Sequence, residues 1–538
     1  MAAKRLASLH LRRVSGPPAV VAELETGLRP LVVAAYRSWW DANVEATPEN
    51  EQRRIAAELA RSDFLADSEA FAAVSAAREA VAGDGLVRRQ LDLLRDEMLP
   101  MQVPDELRRR IVQLEAAVEA RYAQHRGELR GEPVDDNAIL RILRGSDDVT
   151  ERRRAWEASK TIGAVVAQDV RELARLRNEA ARSLGHRDWF ALSLATSELD
   201  EQRLFATLGE VDAVSSEPFA RWKSDLDARL AERFDTPPAE LRPWHYDDPF
   251  FQELPVHGGV DLDPVLRGRD PVMLARRTYD GLGLDVAAIL ERSDLYPREA
   301  KSQHAFCIDI DREGDVRVLA NVEHNAYWTD TMLHELGHGS YDVGVDPSLP
   351  WLLRTMHLIP TEGIAMLFGR LASDREWLAT VAEVDESELR PLAERLPASQ
   401  AAALLVFARW VLVVTTFEHG FYADPEGDHD TRWWELVRRF QLVTPPDGRS
   451  APDWAAKIHL AVAPVYYQNY LYGEMTASQL RATLDRECGG LVDRPEAGRL
   501  LEERVFRPGA SLRWDRLVET ATGEPLSPRF LAADLAPA

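Results

Sequence analysis

Between about Val20 and Leu230 the apolar residues return every three or four positions, as in Leu28-x-x-Leu-Val-Val-x-x-Tyr36 and Leu173-Ala-Arg-Leu-Arg-Asn-Glu-Ala-Ala181, and alternating patterns are nearly absent. That spacing lays one apolar stripe along each of a series of helices. Breaks are expected at Thr47-Pro-Glu-Asn50, Gly83-Asp-Gly85, Pro100 and Gly145-Ser-Asp-Asp148, where turn formers and helix-start residues interrupt the stripe. The charged positions opposite the stripe read as solvated helix faces with some pairing between residues four apart.

From Pro237-Pro238 to Pro264 the periodicity stops and a loop rich in large side chains follows, including Trp244-His-Tyr-Asp-Asp-Pro-Phe-Phe-Gln252. A loop with this many aromatic rings packs against something, and a substrate cleft is one candidate. The clearest strand signals are Gln303 to Ile310 and Asp315 to Val322, joined by Asp311-Arg-Glu-Gly314, which together predict a β-hairpin. Amphipathic helices resume afterwards, among them Ala401 to Thr416 and Asp430 to Leu442. No internal repeat or low-complexity linker divides the chain, so one domain over residues 1–538 is expected. Its two helical lobes would cover about 1–300 and about 301–538.

Composition narrows the partners. A formal charge of −24 disfavours nucleic acid and anionic membranes, both of which select basic surfaces. The basic cluster Lys4, Arg5, Arg12 and Arg13 is not followed by the apolar stretch of a signal peptide, and no run reaches the expected transmembrane length. Two cysteines, Cys307 and Cys488, cannot form a disulfide framework for 538 residues. The expectation is a soluble cytoplasmic protein.

The chemistry concentrates in Thr331-Met-Leu-His-Glu-Leu-Gly-His-Gly-Ser-Tyr-Asp342. On a helix, His334 and His338 lie on one face and can grip a single metal ion, while Glu335 reaches a water rather than the ion. Two neutral imidazoles as ligands and a carboxylate as general base are the division of labour in a zinc peptidase. Such a site needs a third ligand, and Glu362 in Pro360-Thr-Glu-Gly-Ile-Ala-Met-Leu-Phe368 is the candidate, with twenty-three residues between it and His338. Further on, Lys457-Ile-His459 and Tyr466-Tyr-Gln-Asn-Tyr470 offer a cation, an imidazole and hydroxyl donors of the kind that stabilise an oxyanion. A packed histidine and core tyrosines are the alternative reading of that stretch.

Taken together, these segments resemble the peptidyl-dipeptidase family of angiotensin-converting enzyme. The likeness rests on His334, Glu335, His338 and Glu362, on His304-Ala305 ahead of the motif, and on Lys457, His459, Tyr467 and Tyr470. It extends to Tyr36-Arg-Ser-Trp-Trp40, Leu176-Arg-Asn-Glu-Ala-Ala-Arg-Ser-Leu-Gly185 and Arg432-Trp-Trp-Glu435. The resemblance implies a mainly α fold, a large multi-helix ellipsoid with a deep central cleft and a small β-hairpin beside the zinc helix. It also implies one zinc per chain held by His334, His338 and Glu362, and Glu335 as the base. His459 and Tyr470 would stabilise the oxyanion, His304 and Ala305 would bind substrate backbone, and Lys457 and Tyr467 would hold the substrate's C-terminal carboxylate. The implied partners are oligopeptides.

The pattern departs from the family at three places. Met366 stands where the family has an Asp, so the group that orients a zinc imidazole must come from elsewhere. One residue is inserted between His459 and the tyrosines. The Gln that accompanies the carboxylate-binding Lys is expected near Tyr246, where there is none. Zinc-dependent release of C-terminal dipeptides is the expected activity. An endo-oligopeptidase of the thimet-oligopeptidase-like type and a catalytically silent peptide-binding relative are the alternatives.

Overall fold

The computed structural model describes residues 16–83, 85–302 and 304–535. The basic cluster Lys4 to Arg13, Asp84 of the second expected break and Gln303 at the start of the expected hairpin lie outside the described residues. The fold is mainly α, and two two-stranded antiparallel sheets are present among the described residues.

At two of the expected breaks a short polar side chain caps the helix that follows, whereas Leu86–Met98 starts from Gly85 without a side-chain cap. Thr47 accepts from Asn50 N at 3.2 Å to open the helix Pro48–Leu65, and Asp148 accepts from Thr150 N at 2.8 Å to open Val149–Ser183. The break at Pro100 lies in a short 3-10 turn, Leu99–Met101, after the helix Leu86–Met98. The sequence reading missed a small hairpin, β1 (Gly127–Leu129) with β2 (Glu132–Val134), whose three-residue strands are too short to show an alternating pattern.

The chain forms two compact units, each assembled from separated segments. The first contains the residues up to Gln102, Leu262–Pro391 and Tyr472–Phe530; the second contains Val103–Asp261, Leu392–Leu471 and the stretch from Leu531. A boundary near residue 300 therefore falls inside the first unit.

In the first unit, the helix Pro17–Val44 buries Val20, Leu24, Leu28 and Val32 against Phe64, Leu65, Leu91, Leu94 and Trp351. A second cluster packs Trp40, Ile310 and Leu319 with Phe306 and Ile308, which ties the hairpin to that helix. The hairpin is β3 (Phe306–Asp309) paired with β4 (Val316–Leu319), Phe306 opposite Leu319 and Asp309 opposite Val316. Both strands are shorter than expected: the turn takes up Ile310 and Asp315, where Asp309 Oδ1 accepts from Arg312 N at 2.8 Å and Arg312 takes a positive φ, and beyond β4 the N–H groups of Ala320 and Val322 donate to Asp294 and Leu295 rather than to the hairpin.

In the second unit, the long helix Val149–Ser183 runs beside Asp105–Gln124 and buries Trp156, Leu173 and Leu176. The aromatic loop packs on this core. Arg152 and Asp247, both buried, bridge at 2.8 Å, and Tyr246 Oη donates to Asp227 Oδ1 at 3.0 Å. The expectation that no segment reaches membrane-spanning length is corrected by the helix Arg395–Ala423, which is long and apolar enough by length and composition. Its apolar window is 78% buried in the protein, as a core helix is.

Candidate active site

The helix Ala326–Gly344, capped by Asn325 accepting from Trp328 N at 2.9 Å, carries the His-Glu-x-x-His array. His334 and His338 sit one turn apart with ring centroids 5.0 Å from each other. The helix Leu358–Gly369 crosses it closely: a Cβ on Gly337 would stand 3.0 Å from Ala365 Cα, a distance a side chain would enlarge. This glycine between the two histidines therefore permits the approach that delivers Glu362. Glu362 Oε2 lies 3.8 Å from His334 Nε2 and 4.0 Å from His338 Nε2, and the three ligand atoms lie within 4.8 Å of one another.

Those separations fit a four-coordinate metal. At zinc–ligand bonds of about 2.0–2.1 Å, tetrahedral donors lie roughly 3.4 Å apart, so the two imidazole-to-carboxylate distances exceed that spacing by roughly half an ångström.

The surroundings favour the ligating forms. Burial pushes His334 down to about 4 and His338 well below the usual imidazole range, which keeps both rings neutral. His338 Nδ1 stands 2.6 Å from Thr361 Oγ1, so its other nitrogen, the one facing Glu362, is the ligating one. Thr361 thus takes the orienting place left open by Met366, whose sulfur instead meets the helix surface at Gly473. Burial, reinforced by Glu362, pushes the Glu335 carboxyl up to about 8, and a hydrogen bond from the Cys307 backbone opposes the shift. A divalent cation on the three ligands adds a positive charge that also opposes it. The His334 side chain retains 28% exposure and His338 16%, so water reaches the metal ligands.

β3 runs alongside this helix, with Cys307 Sγ 3.5 Å from where a Cβ on Gly339 would be. His304 and Ala305 were expected on the strand; they lie in the bend immediately before it, with His304 exposed.

The remaining candidates belong to the second unit. Lys457 follows a 3-10 turn, Asp453–Ala456, and His459 opens a four-residue helix, His459–Val462. Tyr467 and Tyr470 lie on the helix Tyr467–Cys488. The His459 and Tyr467 rings are 5.0 Å apart, Tyr467 and Tyr470 are 5.5 Å apart, and Tyr466 and Tyr470 are 5.1 Å apart.

One expectation is reversed here. A glutamine does accompany Lys457: its Nζ donates to Gln252 Oε1 at 2.7 Å, six residues beyond the position where sequence reasoning looked. Asp248 accepts from the N–H groups of Phe250, Gln252 and Glu253, and this knot turns the loop so that Gln252 faces the lysine. The signal available in the sequence was the aromatic segment Asp248-Pro-Phe-Phe-Gln252 itself. Burial pulls the Lys457 ammonium down to about 8, while Asp248 and Glu253 pull the other way.

The structure therefore gathers His334, His338, Glu362 and Glu335 with Thr361 and Cys307 in the first unit, and Lys457, Gln252, His459, Tyr467 and Tyr470 in the second.

Residues 16–211 match the sequence profile of the peptidase family described as angiotensin-converting enzyme. The matched segment contains none of the metal-ligand or substrate-site candidates, and it includes Tyr36 to Trp40 and Leu176 to Gly185, two of the stretches on which the resemblance rests. The match supports a peptidase. No curated protein sequence matches the chain.

Proposed function

We propose that this protein is a zinc-dependent peptidase that removes C-terminal dipeptides from oligopeptides, with one zinc per chain. The observation that carries the proposal is the convergence of His334, His338 and Glu362 from two crossing helices, with the Glu335 carboxylate held beside them. The residues present fit the metal: two neutral imidazoles, one buried carboxylate and an orienting hydroxyl. When bound, zinc supplies Lewis-acid polarisation of the scissile carbonyl and of water.

The chain's own residues supply the rest. Glu335 removes a proton from the attacking water and returns it to the leaving amine, and the Cys307 backbone N–H keeps its carboxylate oriented between those two transfers. Thr361 fixes the His338 ring. Lys457 with Gln252 presents a charge and an amide suited to a terminal carboxylate, in company with Tyr467. His459 and Tyr470 as oxyanion donors, and His304 and Ala305 as backbone contacts, rest on the resemblance alone. Cytoplasmic action on free oligopeptides, with neither nucleic acid nor membrane as partner, is in keeping with the acidic composition.

The test is mass spectrometry of products from a mixed peptide pool, with and without a chelator. Chelator-sensitive losses of two residues at a time from the C-terminus are the expected result. Internal cuts at varied distances would replace this reading with an endo-oligopeptidase, and an intact pool would leave a peptide-binding protein.

A further inference from the structure

A cavity of about 500 Å³ lies in the first unit beside the metal-ligand residues. Its wall includes Thr361, which holds His338, and Asp342, one helical turn beyond His338 on the same helix. Tyr36 and Trp39 of the first helix also line it. The arginines on the lining are already engaged. Arg61 pairs with Glu97, Arg354 lies 3.4 Å from Glu313, and Arg312 stacks 4.4 Å from the centroid of the Trp351 ring. Among the acids, Glu58 lies in the field of Arg61, and Asp309 accepts from the N–H groups of Asp311 and Arg312.

Asp342 differs from all of these. Its carboxyl makes no side-chain hydrogen bond or ion pair within 4 Å among the described residues. Burial first, and then repulsion from Asp309, push this carboxyl well above the usual carboxylate range, Arg312 opposing weakly, so a cation placed beside it would restore the charged form. Asp309, close enough to repel it, lines the same recess with Tyr36 and Trp39, and two carboxyls beside aromatic side chains are complementary to a cation. An anion would meet the Asp309 and Asp342 carboxyls and only arginines that are already engaged. Cys307, Ile308 and Asp309 of β3 also line the cavity, and the side of β3 away from β4 carries no strand among the described residues. A peptide laid along that edge would offer every second side chain to the recess.

We infer that Asp342, with Asp309 and Trp39, forms a subsite for a cationic group of the substrate peptide, either its α-ammonium or a Lys or Arg side chain. The inference rests on the peptidase reading and names the substrate class it prefers.

The test uses peptides identical except for Lys or norleucine at one position N-terminal to the cleaved bond, each with a free or acetylated N-terminus. Wild-type protein should favour a cationic member by about tenfold in kcat/KM, and Asp342→Asn should bring that ratio close to one. A preference abolished by acetylation identifies the α-ammonium as the bound group, and one that survives acetylation identifies the side chain. A ratio unchanged in Asp342→Asn, or a wild-type preference for neutral peptides, overturns the subsite while leaving the peptidase reading in place. Asp342→Ser serves the same purpose should the Asn variant not fold. If no peptide is cleaved, the peptidase reading fails and the recess is tested by calorimetry with lysine amide. Binding lost in Asp342→Asn supports the subsite, and absent or equal binding overturns it.

Discussion

Glu418, only 1% exposed, accepts a hydrogen bond of 2.8 Å from the backbone N–H of Val465, a β-branched residue held at a φ of 57°. Gln468 Nε2 donates to the carbonyl of the same residue. Left-handed backbone at a non-glycine residue costs about 1–2 kcal/mol, so this clamp maintains a turn the chain would otherwise relax. The turn lies between His459 and the tyrosines, the interval in which the sequence carries one extra residue relative to the resembling family, and it leads directly into Tyr466, Tyr467 and Tyr470.

Removing the acceptor should therefore destabilise the second unit. Glu418→Leu is expected to cost about 1–3 kcal/mol, the penalty for leaving the Val465 N–H buried and unsatisfied. Glu418→Gln, which keeps an acceptor oxygen, should cost less, and Val465→Gly should relieve the left-handed strain while losing the burial of the Val465 side chain. Denaturant unfolding of the three variants checks this; equal losses for Leu and Gln would show that the hydrogen bond is not what matters.

Metal occupancy should follow the three ligands and Thr361. Glu362→Ala is expected to abolish tight zinc binding, and Thr361→Val, which keeps the shape but loses the hydroxyl beside His338, to weaken it by roughly ten- to a hundredfold. Competition against a chromophoric chelator measures both, and full occupancy of Glu362→Ala would remove Glu362 from the ligand set.

The base can be separated from the ligands. Glu335→Gln should retain fold and zinc yet lose about a hundred- to ten-thousandfold in turnover, because the amide cannot take a proton. Near-normal hydrolysis by the metal-loaded variant would contradict the assignment.

Recognition of a terminal carboxylate should depend on pH through Lys457. Its pKa is pulled down to about 8 by burial, so the ammonium is charged below that pH and loses its proton as pH rises through it. The KM for peptides with a free C-terminus should therefore rise above about pH 8, while amidated peptides show no such rise. Lys457→Met should remove the difference, and a persisting difference would place the carboxylate elsewhere.

Among the tyrosines, Tyr470→Phe should lower turnover by about a hundred- to a thousandfold with little change in KM, the loss expected for one oxyanion donor. If Tyr470→Phe is active and Tyr466→Phe is crippled, the register across Val465 points to the neighbouring ring.

The local order of this chain was legible without a structure. His334, Glu335 and His338 share one helix face because an α-helix repeats every 3.6 residues, and the caps at Thr47 and Asp148 follow from short polar side chains before an apolar run. The third ligand could be named because it is the one acidic residue in the apolar stretch Pro360 to Phe368, although the helix in fact begins at Leu358 and Glu362 lies in its second turn. Hairpin strand ends were less legible, since Ala320 and Val322 bond to Asp294 and Leu295 instead of continuing the pair, a choice that no alternation of residues encodes.

Tertiary packing decided the rest. Gln252 meets Lys457 across 205 positions and Glu418 meets Val465 across 47, and no periodicity links residues so far apart. Thr361 could be seen beside Glu362 in the sequence, yet its place against His338 depends on two helices crossing over Gly337 and Ala365. The recess at Asp342 likewise exists only because a strand, the motif helix and the first helix meet there. Spacing along a helix is set by bonds between near neighbours and can be read from the residues themselves. Which faces then come together depends on the burial and shape of whole elements, and only the folded chain resolves it.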